Sequence, residues 1–436
     1  MEKLSGSKPH YVILDALRGV AALMVIWFHI FEGFATSAID QKFNHGYLAV
    51  DFFFILSGFV IGYAYDDRWQ SMSVGSFFKR RLIRLHPMVI LGAVFGAVSF
   101  LIQGVVFGGN SSIFDGGVQW NGTHVSLGPV LISMIMAMFL IPCRPGGLGE
   151  VRGNGEMFPL NGPSWSLFFE YIANIMYALF LRRLSTKVLK VFVVVSGLGY
   201  AAFAILNGSG TYSIGVGWTL GGLNFLGGML RVTFAFSCGL LLSRNFKPLT
   251  FKCAKCAEGP SEKPISAAAA FGIASVAIVA LLSVPYISLH SDGSDLQPHW
   301  LNGLYDAVCT LLIFPLLVLL GASGNFSVES AKSERSGKSE MSAKSEKSAK
   351  SEKSGKPERS CKVKEVCALL GDISYPLYVI HYPIMYLFYA WVWKNGLTFS
   401  QAWPLAVGIF IGAPVLAYVC LKIYDIPVRR WLSRRF

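Results

Sequence analysis

"LDALRGVAALMVIWFHI", residues 14–30, is an apolar run broken by Arg18 and His29. A charged arginine at a bilayer centre costs roughly 2.5–3.5 kcal/mol on insertion scales. Each of the two residues therefore needs a partner or a polar cavity. They are eleven positions apart, so at about 100° per residue they project from one helix face, about 16 Å apart along its axis. Asp15 lies three residues before Arg18 and is placed to pair with it. That pair and snorkelling account for Arg18. Neither accounts for His29.

The run is one of many. The chain has 436 residues, 53% of them hydrophobic and only 14% charged, against about 25% charged in a soluble domain. Apolar segments recur at 11–31, 47–65, 87–107, 127–143, 165–181, 189–206, 225–243, 266–286, 302–321, 366–390 and 403–423. Their length argues for an all-α, polytopic membrane bundle. The two-residue alternation of a membrane barrel is absent. A net charge of +13 fits basic loops beside a membrane better than a nucleic-acid site. The eight cysteines are scattered and give no disulfide framework. The first run carries Asp15 and Arg18 with no small-residue cleavage site after it, so no cleavable signal peptide is expected.

Positive charge orients the segments. With the N-terminus inside, the loop 66–86 with Lys79, Arg80, Arg81 and Arg84 falls inside as it should. If 127–143 crossed, Arg182, Arg183, Lys187 and Lys190 would land outside. If it is re-entrant, these residues, the Lys-rich 327–364 stretch and the tail "RRWLSRRF" all fall inside. The expectation is ten spans, a re-entrant 127–143 shielded from lipid, and both termini in the cytoplasm of a bacterial cell. Residues 327–364 divide the membrane domain into 1–326 and 365–436. Ser, Lys and Glu dominate this insert, which cannot bury enough apolar area to order itself. A solvated cytoplasmic linker is expected, with phosphorylation or anionic-lipid binding as the other reading. Cys253 and Cys256 form a lone CxxC, too little for a zinc site without a second pair; no metal is expected.

Other polar residues interrupt the remaining spans. Asp51 lies near the outer end of the second, with Ser57-Gly58 at mid-membrane, where small residues let helices approach closely. Glu170 lies in the outer half of the helix after 161, one turn beyond Ser166. His381 sits near mid-membrane and Ser374 nearer the cytoplasm. Arg81 and Arg84 are three apart and can grip one polyanion. Each has a structural reading as well: a satisfied buried carboxyl for Glu170, an orienting or structural Asp51, a kink beside Pro383 for His381, and a basic flank for the arginines.

"LRGVAALMVIWFH", "GYLAVDFFFILSGFVIG", "FFKRRLIRLHPM", "WSLFFEY" and "ISYPLYVIHYPI" together resemble, in order, the acyltransferase-3 family of membrane O-acyltransferases, over about residues 11–424. The resemblance implies a ten-helix membrane domain that transfers an acyl group, commonly acetyl from cytoplasmic acetyl-CoA, to a hydroxyl of extracytoplasmic or lipid-linked carbohydrate. It places the family's Arg and His of the first helix on Arg18 and His29. Its CoA-holding arginine pair falls on Arg81 and Arg84. Its Trp-Ser-Leu-x-x-Glu element falls on Trp165, Ser166, Leu167 and Glu170, and its final motif on Ser374, Tyr375, Tyr378 and His381. Where many members read Ser-Val-Glu, this chain has Phe168-Phe169-Glu170. An appended esterase-like domain, found in some relatives, is not expected, since the chain ends at Phe436.

A thioester donor needs no metal, but an acceptor hydroxyl needs a base, and histidine suits neutral pH. His29 is the expected base, with Glu170 or Asp51 orienting its ring. Arg18, Arg81 and Arg84 are expected to hold acyl-CoA, with Ser166, Trp165 and Tyr378 as oxyanion candidates. Buried ionisable residues also build proton-coupled transporters, which is the alternative class.

Overall fold

A computed structural model describes residues 10–107, 117–120, 123–253, 261–290, 296–324 and 356–436. Most of the 327–364 insert and Cys256 lie outside these residues. The elements are α-helices, with three two-stranded hairpins in the connections. In chain order the helices are α1 (Val12–Glu32), α2 (Ala49–Tyr65), α3 (Val74–Phe107), α4 (Leu127–Met138), α5 (Ser164–Leu179), α6 (Thr186–Ile205), α7 (Gly222–Arg244) and α8 (Ala267–Leu282). There follow α9 (Trp300–Ser323), α10 (Lys356–Lys394) and α11 (Phe399–Arg435). A π-helical turn interrupts α9 at Cys309–Ile313 and α11 at Leu421–Asp425.

Among the described residues, eight helices are long and apolar enough to cross a membrane. Two more traverse the bundle: α8, with 16 residues, and α10, whose apolar pattern is diluted by tyrosines and His381. The protein is an all-α polytopic membrane bundle. Val191, Val194, Val195 and Leu198 of α6 and Ile273 and Val276 of α8 are exposed. These are the lipid-facing sides of helices that are apolar all round.

The two ends of the bundle differ. At one end Lys79 hydrogen-bonds the carbonyl of Phe436, Arg182 stacks on Trp69, and Arg244 pairs with Asp66 at 2.6 Å. This is the arginine end. At the other, Trp393 donates to the carbonyl of Gly33 at 2.9 Å and His45 Nδ1 meets the carbonyl of Val284 at 2.8 Å. The helix α4 spans only about 18 Å of a roughly 30 Å hydrocarbon core. Its Val130 packs with Ala97 and Phe100 of α3. The loop after it brings Arg152 back to Gln103, 3.1 Å away. Helix α4 and the loop after it thus both lie against the same part of α3, between Ala97 and Gln103, a placement consistent with the re-entrant segment that the charge pattern favours.

Small residues set the closest approaches. A Cβ on Gly58 of α2 would lie 2.0 Å from the carbonyl oxygen of Phe236 in α7, and one on Gly239 would lie 2.0 Å from that of Ile55. The two backbones touch without side chains between them. Helix α10 carries Pro383 in its interior. Proline supplies no N–H to the carbonyl four residues earlier. That carbonyl, on Val379, is taken by Asn161 Nδ2 at 2.9 Å.

Candidate active site

A cavity of about 500 Å³ opens at the arginine end. Both Val50 and Tyr65 of α2 line it, so it follows that helix for about 22 Å. Arg18, Arg81, Arg84, Glu170, Ser166, Ser374 and Tyr378, all singled out in the sequence, share its wall. They come from α1, α3, α5 and α10, brought together by the close packing of these helices on α2.

At the mouth, Arg18 Nη1 donates to Asp15 Oδ1 at 2.9 Å, and His10 Nε2 lies 2.9 Å from the other oxygen. The pair foreseen for Arg18 exists, and it leaves the guanidinium facing the cavity. Arg81 Nη2 donates to Glu170 Oε1 at 2.9 Å, where Ser57 Oγ also donates at 3.1 Å. Arg81 Nε is buried and without a partner among the described residues. Arg84 is exposed. The mouth thus presents three guanidinium groups with unused donors, the array that grips a polyanion.

The far part of the cavity sets two hydroxyls, those of Ser166 and Tyr378, among Val50, Phe53, Phe54 and Leu167. Ser166 Oγ and Tyr378 Oη are 2.6 Å apart, and both reach the carbonyl of Pro163. The Tyr378 ring meets Phe53 edge-on, centroids 5.5 Å apart. Ser374 hydrogen-bonds the carbonyl of Gly371 at 2.7 Å.

His29 does not line the cavity. Its ring stacks on that of His381, centroids 5.4 Å apart and planes 29° apart, and His381 in turn lies 5.8 Å from Tyr378. The His381 side chain separates His29 from the cavity. His381 Nδ1 lies 2.8 Å from the carbonyl of Tyr378, a contact that requires the Nδ1–H tautomer. Its Nε2 is then an acceptor, buried with no partner among the described residues.

The carboxylate beside His29 is Glu32, with Oε2 2.6 Å from Nδ1. Tyr389 Oη donates to that oxygen at 2.8 Å and to the carbonyl of His29 at 2.7 Å. The Glu32 side chain is 38% exposed, so the pair meets solvent at the end opposite the arginines. Glu170 and Asp51, expected to orient His29, are committed elsewhere. Glu170 serves Arg81. Asp51 gives both oxygens to Arg231, at 3.1 and 2.8 Å, in a fully buried fork. Arg231 also donates to the carbonyls of Val216 and Tyr47, each at 2.8 Å. Trp165 lies against Arg231, 5.0 Å from its guanidinium. Asp51 and Trp165 therefore stand outside the cavity, in a clamp between α2, α5 and α7.

Sequence reasoning missed Glu32 and Arg231. Glu32 follows His29 by three residues, the spacing that joins side chains on a helix, but it closes the apolar run and reads as its flank. Arg231 is a lone arginine in the apolar 225–243 segment, the natural partner for a lone buried aspartate in another span.

Fold and cavity define an integral-membrane protein with a deep pocket that opens among arginines. The chain belongs to the acyltransferase-3 family: the family model described as an acyltransferase domain matches residues 11–422. It is a membrane acyltransferase. It is 32% identical over 189 residues to "Protein 2 in picA locus" of Rhizobium radiobacter, a match covering 42% of this chain and 90% of that protein. It is 31% identical over 176 residues to "Acyltransferase MdmB" of Streptomyces mycarofaciens, covering 39% of this chain and 38% of that protein. No solved structure matches the chain.

Proposed function

We propose that this acyltransferase moves an acyl group, acetyl in the first instance, from cytoplasmic acyl-CoA to a hydroxyl of a cell-surface or lipid-linked carbohydrate. One observation carries the reading: a cavity that begins among Arg18, Arg81 and Arg84 and runs about 22 Å toward the His381–His29 pair. Its length, and an inner end where the Ser166 and Tyr378 hydroxyls sit among apolar side chains, suit a thioester on a long unbranched arm whose phosphates stay at the mouth. By the positive-inside rule we read that mouth as cytoplasmic. The N-terminal segment at His10, Arg182 and the C-terminal Phe436 lie at this same end.

The chemistry follows from the side chains. Glu32 accepts from His29 Nδ1–H, which leaves Nε2 unprotonated and able to take the acceptor's hydroxyl proton. The hydroxyl oxygen attacks the thioester carbonyl carbon. The carbon–sulfur bond breaks, and the thiolate leaves as CoA and takes its proton from the imidazolium. Tyr378 and Ser166, sharing a hydrogen bond in the inner part of the cavity, are the donors for the oxyanion. In the resting arrangement His381 stands between thioester and base. Its side chain has to turn aside, or pass the proton through Nε2, before transfer. Arg18, Arg81 and Arg84 hold the donor's phosphates. Asp51 and Trp165 support the site through Arg231 and touch no reactant.

The test compares surface glycans of the source cell with and without the gene by mass spectrometry. Loss of an acetyl-sized mass from a carbohydrate supports the reading, and a succinyl-sized loss supports it with a different acyl group. Unchanged glycans together with unchanged acyl-CoA consumption by the membranes contradict it.

A further inference from the structure

A second recess adjoins the cavity mouth. It is a shallow groove of about 550 Å³ between α3 and the last turns of α11, lined by Arg80, Arg84, Arg429, Arg430 and Arg434 together with Ile83, Ile426 and Ser433. Arg80 and Arg84 line both the groove and the cavity, so the two are continuous.

The groove is built rather than incidental. Arg80 and Arg84 are four residues apart, as are Arg430 and Arg434, so each pair shares a helix face. Like charges at that spacing disfavour a helix, and here two such pairs face one another. Lys79 fixes the arrangement by hydrogen-bonding the carbonyl of Phe436, with its ammonium 5.7 Å from the Phe436 ring centroid. The acidic group packed nearby is Asp425, which is held by Arg429 at 2.6 Å. Arg429 Nε is buried and unpartnered among the described residues. Five guanidinium groups against two carboxylates, Asp425 engaged by Arg429 and Asp15 near Arg84 but engaged by Arg18 and His10, call for a ligand with more than one negative charge. A compact phosphate monoester, doubly charged near neutral pH and rich in acceptors, meets that demand.

Resting on the acyl-CoA reading above, we infer that this groove docks the 3′-phosphate end of the donor nucleotide while the acyl arm threads the cavity. Arg430 and Arg434 then measure the donor by its ribose phosphate. A lipid headgroup phosphate carries related chemistry, and the experiment separates the two.

The full chain, in phosphatidylcholine nanodiscs with and without phosphatidylglycerol, is titrated with CoA and with 3′-dephospho-CoA. The wild type is expected to bind CoA at least about tenfold more tightly, the order of one charge-assisted contact. The double variant Arg430→Gln, Arg434→Gln is expected to bind CoA as weakly as dephospho-CoA. Its dephospho-CoA affinity, which also reports a folded cavity, stays near the wild-type value. Equal loss for both ligands, or an unchanged preference, overturns the inference. So does equal binding by the wild type with an effect of the variant confined to phosphatidylglycerol discs, which assigns the groove to lipid. If the wild type binds neither nucleotide, the donor reading itself falls. If it binds both equally, that reading stands and only the groove assignment fails.

Discussion

His29 Nδ1 and Glu32 Oε2 are 2.6 Å apart on successive turns of α1, and Tyr389 of α10 pins the same carboxylate oxygen. A carboxylate in this position selects the imidazole tautomer and stabilises the imidazolium. Glu32→Gln keeps the shape but removes the charge and offers the wrong hydrogen-bond polarity. It is expected to lower kcat about 10²- to 10⁴-fold with little change in KM for the donor. Steady-state transfer in membranes matched for protein level measures it. Wild-type kcat in Glu32→Gln would remove Glu32 from the mechanism.

The buried Asp51–Arg231 fork is expected to act on stability rather than on chemistry. Asp51→Leu and Arg231→Met each leave one buried charge unpaired, at about 3–5 kcal/mol. The double variant replaces the pair with apolar groups and is expected to recover most of that loss. Unfolding in detergent gives the energies. Restored stability without restored activity per folded molecule would instead make Asp51 part of the reaction.

Gly58 and Gly239 hold α2 and α7 at backbone contact. Alanine at either position must push the helices apart, at a cost of about 1–3 kcal/mol. A Cβ on Gly272 of α8 meets nothing within 4 Å, so Gly272→Ala is expected to stay within about 0.5 kcal/mol of wild type. Equal thermal midpoints for Gly58→Ala and Gly272→Ala would contradict the packing argument.

Glu156 lies in the loop between α4 and α5, where it accepts from Tyr386 Oη at 2.8 Å. Burial pushes its carboxyl from 4.5 up to about 7, against the opposing pull of Arg152 and the Tyr386 hydroxyl. The folded protein then holds a proton that the unfolded chain releases between those values. This contribution to stability is full below about 4.5 and is lost as pH rises through about 7. The thermal midpoint of wild type relative to Glu156→Gln is expected to fall across that window. A flat or rising difference would contradict the sign.

The architecture was legible because burial in lipid demands long apolar runs and basic flanks, and both are local properties. The expectation of ten spans and a returning 127–143 comes from counting Lys and Arg against segment lengths, and eight of the described helices are long and apolar enough to cross. The cavity wall was legible for a similar reason. Arg18, Arg81 and Arg84 are costly residues in apolar surroundings and could be expected to share a polar space, whereas Glu170, expected in the outer half with Asp51 and His29, instead pairs with Arg81. Pairing was less legible. Asp51 and Arg231 are 180 residues apart, and sequence spacing cannot say which of several lone charges meet across helices. Glu32 was within reach by its i,i+3 spacing, but a carboxylate at a helix end looks like an interfacial residue until its neighbour's ring is seen to face it. The interposed ring of His381 lies two residues before Pro383 in α10, beside the Val379 carbonyl that Asn161 from another segment satisfies, and neither contact can be read from spacing.

The most direct test is acyl transfer from acetyl-CoA in native membranes containing equal amounts of wild type, His29→Gln or His29→Ala. With His29 as the base, both variants are expected to lose at least about 100-fold in kcat while still binding the donor. A wild-type rate in either variant would contradict the mechanism.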